Sequence, residues 1–276
     1  MQLADLQPGW RSDFLLHRHG ALVAERDDCI VVRTPENPTY YWGNFLLLPQ
    51  APGDADLAHW LRRFDDEVAA LQPASQHVAL GINTPPSALP QLPAWEAAGF
   101  EVIATTVLEL QPGGLRATSA APRGRVELLQ LDLQQDVEAI VTLECADTHG
   151  FAVDSYAEYR RRQLRRYAAM AAQGHAAWFG VRCDGVLAAD CGLMQDGAGL
   201  GRFQRVATHP AWRRRGLCTA LVHGVSAWGL AHWGLQRILM CADPDDVAIA
   251  IYESLGYRRI ARECCLQRNA PQDRAA

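Results

Sequence analysis

Arg213, Arg214 and Arg215 stand in a row before Gly216 in the segment THPAWRRRGLCTALVHG, residues 208–224. Leu217, Leu221, Val225 and Trp228 follow at spacings of four, four and three, one apolar stripe of a helix. The first turn of a helix carries N–H groups without intrahelical partners and the positive end of the peptide dipoles. Pro210 prevents the preceding residues from joining that helix, and Gly216 lets a bulky anion approach the main chain. This constellation suits a phosphate group. Side chains able to move protons lie elsewhere: Tyr252 on a later amphipathic segment, Glu144 on the apolar stripe of Val137 and Ile140, His149 in the loop Thr148 to Phe151, and Asp190 beside Cys191. Glu144 either faces inward as a base or turns to water at a fraying helix end. Asp190 is a third candidate base or a structural carboxylate.

The elements that must position these groups follow from local pattern. RVELLQLD reads as a strand and DVEAIVTLEC as a short helix. A long helix is predicted from about residue 155 to 172, capped by Asp154 or Ser155. Strands around AAWFGVRC, VLAADCGLM and GRFQRVAT are joined by turns at Asp184-Gly185 and Asp196-Gly197. The helix opening near Gly216 follows, then strand RILMCAD, helix DDVAIAIYESLG ending at Gly256, and strand YRRIARECCLQR. The order β-α-α-β-β-β-α-β-α-β predicts a mixed sheet whose parallel part comes late.

The small, polar stretch at 113–125, GGLRATSAAPRGR, reads as a linker with a boundary near residue 118. On that reading, residues 1–117 and 118–276 form two units. WEAAGFEVI from Trp95 aligns with YESLGYRRI from Tyr252 at an offset of 157 residues, matching Glu96 with Glu253, Gly99 with Gly256, Phe100 with Tyr257 and Ile103 with Ile260. Upstream of Trp95 the order strand, helix, strand, helix also matches, which points to a duplicated unit. The first copy has QAPGDAD where the second has AWRRRGLC, and its aspartates would repel phosphate. The cluster YYWGN (Tyr40, Tyr41, Trp42, Asn44) is expected to pack between the halves, or else to line a pocket there.

At 276 residues the chain suits two domains, and 49% apolar with 21% charged residues is a globular profile. No apolar run nears the ~20 residues that span a bilayer, and the N-terminus lacks the pattern of a secretory signal. Cytoplasmic location and no membrane partner are the expectations. The net charge of −5 argues against nucleic acid as a partner. Eight cysteines show no CxxC spacing, so no metal site and no disulfide framework is expected. All 26 basic residues are arginine, and the chain cannot acylate lysines of its own.

With VATHP ending a strand, RRRGLC opening a helix, and Tyr252 before LGY, residues 125–268 resemble the GCN5-related N-acetyltransferases (GNAT). That family carries Gln or Arg, two variable residues, Gly, one variable residue, then Gly or Ala; Arg213, Gly216 and Cys218 take those places, with cysteine a departure. The resemblance implies an α/β (α+β) fold of two GNAT-like units, each a mixed, mostly antiparallel sheet flanked by helices, the first degenerate. It further implies that main-chain N–H groups of Arg214, Arg215, Gly216, Leu217, Cys218 and Thr219 hold the pyrophosphate of acetyl-CoA. Val206, Ala207 and Thr208 would pair with the pantetheine, Asp245 would stand where an asparagine often contacts it, and Tyr252 would protonate the departing thiolate. His209 and Trp212 read as exposed loop positions, or else as neighbours of the adenosine. The family often has a glutamate base on the strand before the motif, where this chain has Gln204 and Arg205, so Glu144, His149 and Asp190 stay open as bases.

The function implied is transfer of an acetyl group from acetyl-CoA to a primary amine of a small molecule or peptide by direct attack in a ternary complex, without metal. The protein is expected as a monomer or homodimer. A non-catalytic coenzyme A-binding sensor or scaffold is the alternative. Nucleotide binding is a weaker third, since there is no GxxxxGK[ST] and no lysine.

Overall fold

A computed structural model of the chain describes residues 1–85, 87–118 and 126–271. The later part of the expected linker, 119–125, lies outside the described residues. The chain divides into two compact units, Met1–Thr105 with Arg262–Ala276, and Thr106–Ala261. Strand β5 (Glu101–Leu110) begins in the first unit and ends in the second, and β11 (Arg258–Arg268) does the reverse. The division therefore does not fall at residue 118. Long-range strand pairing sets it, and composition does not display such pairing.

In the first unit the strands β1 (Leu22–Glu25), β2 (Ile30–Arg33), β3 (Phe45–Gln50) and β4 (Val78–Thr84) lie in the order β1-β2-β3-β4-β11. Only β3 and β4 run parallel. Alternation along the strands makes two cores. Val31, Leu46 and Leu48 face one with Phe64, Val68, Trp95 and Phe100, whereas Ile30, Val32, Phe45 and Leu47 face the other with Leu6 and Trp10. Helix α1 (Pro8–Asp13) carries Trp10; α2 (Leu57–Phe64) runs into a wider turn, 65–69, that carries Val68; α3 (Pro93–Ala97) carries Trp95. The YYWGN cluster finds its partners inside this unit, contrary to the expected packing between halves. Tyr41 stacks on His77 at 4.1 Å and its hydroxyl accepts from the Ala270 N–H, while Trp42 packs against Trp10 and Phe45. Asn44 is fully buried and its amide donates to the carbonyls of Asn37 and Tyr40.

The second unit holds β6 (Val126–Leu131), α4 (Val137–Glu144), α5 (Val153–Ala172), β7 (Ala176–Cys183), β8 (Val186–Gln195), β9 (Leu200–Thr208), α6 (Leu217–His232), β10 (Arg237–Ala242) and α7 (Ala248–Ser254). Its strand order is β5-β10-β9-β8-β7-β6, antiparallel except for β9 and β10. The predicted order of elements and the late parallel pair are both present. α5 starts two residues earlier than predicted, and its N-cap is Ala152 with no side-chain bond, so Asp154 sits in the first turn rather than capping it. One face of the sheet buries Leu217, Leu221, Val222 and Val225 of α6 against Phe179, Cys191, Leu193 and Ile238. Each such side chain contributes about 1.5–3 kcal/mol by leaving water. On the opposite side Tyr167 of α5 stacks on Trp178 of β7, and Gly192 is obligatory because a Cβ there would stand 2.3 Å from that indole.

The duplication expected around Trp95 and Tyr252 is visible in how α3 and α7 end. Gly99 has φ +85° and Gly256 φ +103°, the left-handed region that glycine enters at least cost. Phe100 N–H reaches back to Trp95 O at 3.0 Å, and Tyr257 N–H to Tyr252 O at 3.1 Å.

Candidate active site

β9 and β10 pair only from Leu200 to Arg202 on the β9 side. Beyond that they part, and from Phe203 to Thr208 β9 has a ladder partner on its β8 side alone among the described residues. A bulge falls within this free stretch: between the pairs Gly192–Gln204 and Asp190–Ala207, two residues of β9, Arg205 and Val206, oppose Cys191 alone. Arg205 takes φ +51°, a conformation costing a non-glycine residue roughly 1–2 kcal/mol. Bulges of this kind re-aim a side chain beside a site.

After β9, the turn Pro210–Trp212 leads to Arg214 at φ +60° and Gly216 at φ +78° as the N-cap of α6. The main-chain N–H groups from Arg214 to Thr219 have no hydrogen-bond partner among the described residues. Six consecutive donors at the positive end of a sixteen-residue helix make an anion cradle.

Splayed strand, cradle and α7 enclose a cavity of about 470 Å³. Val206, Ala207, Thr208, Arg213, Arg214, Gly216, Leu217, Cys218, Thr219, Tyr252, Glu144 and His149 all line it, so nearly every residue selected from sequence meets in one space. Four selected residues, Arg215, Asp245, His209 and Asp190, stand outside the lining. Arg215 stacks on Trp212, its guanidinium carbon 4.6 Å from the ring centre. Asp245 is exposed, and its neighbour Asp246 lines the cavity, its carboxylate accepting from the Ala248 N–H at the start of α7. His209 caps the turn, its Nδ1 accepting from the Ala211 N–H.

The proton-moving groups differ in their surroundings. Tyr252 is buried, with no hydrogen bond from its hydroxyl among the described residues, and burial raises its pKa above the ordinary phenol value. Such a phenol keeps its proton throughout the neutral range. Glu144 neither frays nor meets water: both its oxygens accept from the Arg160 guanidinium, and both side chains are wholly buried. The charge partner lies sixteen residues away on α5, beyond what the stripe of α4 discloses. His149 sits exposed at φ +53°, its Nε2 accepting from Arg205 Nη1 at 3.4 Å. Partial enclosure by the cavity, helped by the charge of Arg205, holds its imidazole below the usual histidine range. Asp190 accepts from the Trp178 indole at 2.7 Å through one oxygen; burial first, and the charge of Glu144 second, push its carboxyl well above the usual range. Sequence reasoning assigned Arg205 no role. Its left-handed backbone and its place in the cavity come from the bulge, which no local signal announced.

Arg213 ties the loop after α4 to this cradle. Its Nη2 donates to Asp147 at 2.6 Å and its Nε to the Thr208 carbonyl at 3.1 Å, and Arg213 holds the Asp147 carboxyl below the ordinary range. Among its described residues the first unit lacks this arrangement. At the position matching Tyr252, Trp95 is fully buried and donates its indole N–H to the Gly53 carbonyl, while Asp54 accepts from the Ala94 N–H. Among the described residues no cluster of side chains is suited to hold a metal, and no helix is long and apolar enough to cross a membrane.

Residues 138–257 match the model of the acetyltransferase (GNAT) family. No curated protein matches the chain. Among solved structures, a functionally unknown conserved protein from Staphylococcus epidermidis has TM-score 0.72 at 10% identity, covering 92% of this chain and 95% of its own. A GCN5-related N-acetyltransferase from Kribbella flavida has TM-score 0.62 at 16% identity, covering 94% and 92%. A tandem GNAT protein from the clavulanic acid biosynthesis pathway has TM-score 0.56 at 16% identity, covering 97% and 93%. These likenesses span both units, while the family model lies within the second. Residues 138–257, within the second unit, therefore match the acetyltransferase (GNAT) family, and the solved structures show that the fold of the whole chain is shared with two-unit proteins of the GNAT type.

Proposed function

We propose that the second unit moves an acetyl group from acetyl-CoA to a primary amine of a small molecule or peptide by direct attack in a ternary complex. The observation that carries this reading is the meeting, in one cavity, of six unpartnered N–H groups, a free strand edge at Val206–Thr208 and the unbonded phenol of Tyr252. The donors of Arg214 to Thr219 fit a pyrophosphate, and the strand edge offers amides to a pantetheine arm and an N–H to a developing oxyanion. Tyr252 supplies a proton to the departing thiolate. The amine must lose a proton before or during attack. His149 suits the role of acceptor for that proton, because it borders the cavity, is accessible, and is held neutral at neutral pH. Glu144, occupied by Arg160, serves the shape of the α4 end instead. The first unit, closed by Trp95 and bearing no cradle arginines, supports the second rather than binding acetyl-CoA itself.

The sensor reading is favoured by one observation: no carboxylate stands on β9, and Glu144 is already paired. Incubating the protein with acetyl-CoA and a panel of amines while measuring free thiol separates the two. Amine-dependent thiol release supports the enzyme, and binding with an intact thioester throughout supports the sensor.

A further inference from the structure

Two arginines of the cavity have no anion of their own among the described residues, the exposed Arg214 of the cradle and Arg205, and only Arg205 is partly buried. Its Nη1 rests on His149 Nε2, its guanidinium lies 5.7 Å from the centre of the Tyr156 ring, and its Nε is buried with no partner among the described residues. No carboxylate forms an ion pair with it there, in contrast to Arg213, whose charge is met by Asp147. The groups around it leave that charge unmet. His149, on the loop after α4, is kept neutral at neutral pH by partial enclosure and by the charge of Arg205 itself, and Tyr156, on α5, is a phenol whose pKa burial raises further above neutrality. Glu144, at the end of α4, spends both oxygens on Arg160, and Asp190 of β8 is driven toward its neutral form while bonded to Trp178. The backbone at Arg205 holds an unfavourable left-handed conformation inside the β9 bulge, next to the strand edge that would carry the pantetheine. A guanidinium kept unpaired in a partly enclosed site binds a carboxylate more strongly than any neutral group.

We infer that Arg205 is a specificity-determining residue that binds a carboxylate carried by the acceptor, so the acceptor class is an amine that is also a carboxylic acid. This inference rests on the acetyltransferase reading above. Arg205 takes no part in bond making: the amine nitrogen forms the amide bond, the thioester bond breaks, and the thiolate receives its proton elsewhere.

The test measures thiol release with α-, β- and γ-amino acids, each beside its own carboxamide, for the full chain and for Arg205→Gln and Arg205→Lys. At least one amino acid should exceed its amide in kcat/KM by about 10- to 100-fold, the scale of a charge-assisted hydrogen bond to an ion. Arg205→Gln should bring that ratio near one, mainly through the acceptor KM, and Arg205→Lys should restore part of it. Equal use of acids and amides, no turnover of any amino acid, or a preference that survives Arg205→Gln overturns the assignment. Calorimetric binding of acetyl-CoA to each protein is measured in parallel. It shows that the variants fold, and its absence in the unaltered chain would refute the acetyltransferase reading separately.

Discussion

Placing a carboxylate at the N-cap of α6 should abolish acetyl-CoA binding by charge rather than by size. Gly216 stands at φ +78° among the six unpartnered N–H groups, so any side chain there meets the backbone cost first. That cost is about 1–2 kcal/mol, common to glutamine and glutamate, and it falls mostly on folding stability. A glutamate adds repulsion to the bound pyrophosphate: two unit charges about 5 Å apart at an effective dielectric near 20 repel by about 3 kcal/mol, more than ~100-fold in affinity. Calorimetric titration of acetyl-CoA into the unaltered chain, Gly216→Gln and Gly216→Glu isolates the charge. Glutamate should weaken binding about 100-fold beyond glutamine, and added salt should narrow the gap. Affinities of the two variants within about threefold of each other would show that no phosphate lies at this helix end, and the assignment of Arg214 to Thr219 would fall.

Other consequences follow from the same geometry. Tyr252→Phe removes the only proton of that side chain facing the thiolate and should lower kcat about 100-fold or more with acetyl-CoA affinity little changed, as read by thiol release and calorimetry; an unchanged kcat would exclude the acid role. Breaking the buried Arg160–Glu144 pair by Arg160→Met should cost about 3–5 kcal/mol in denaturant unfolding, and Arg160→Met with Glu144→Gln should recover much of it. Additive losses in the double variant would show that the two side chains act independently. His77, whose buried Nε2 donates to the Asn44 carbonyl, has its pKa lowered from 6.5 to about 4 by burial. The unfolded chain then binds more protons than the folded one between those values, so stability should fall as pH drops from 6.5 toward about 4, by at most about 1.4 kcal/mol per pH unit from this group. His77→Gln should flatten that slope, and an unaltered slope would assign it to other groups.

What the sequence disclosed was chiefly local. The order of elements in the second unit, the cradle at Gly216 and the repeated helix ends at Gly99 and Gly256 all rest on contacts within a few residues, where spacing and glycine are legible. What it withheld depends on partners far along the chain. For Glu144 the sequence leaves open an inward base or a solvated helix end, because its partner Arg160 is sixteen residues away on another helix. The YYWGN cluster looked like a junction because its partners, His77 and Ala270, come from two distant segments of one unit. The exchange of β5 and β11 between units has no compositional mark at all, and the β9 bulge that turns Arg205 into the cavity is a matter of register.

We expect one acetyl-CoA site in this chain, in the cavity of the second unit. Calorimetric titration of acetyl-CoA into the full chain tests it by stoichiometry. A single site per chain, retained when Trp95 is changed to Phe and lost when Gly216 is changed to Glu, is the expected result. No binding, or a second site lost with changes in the first unit, would contradict it.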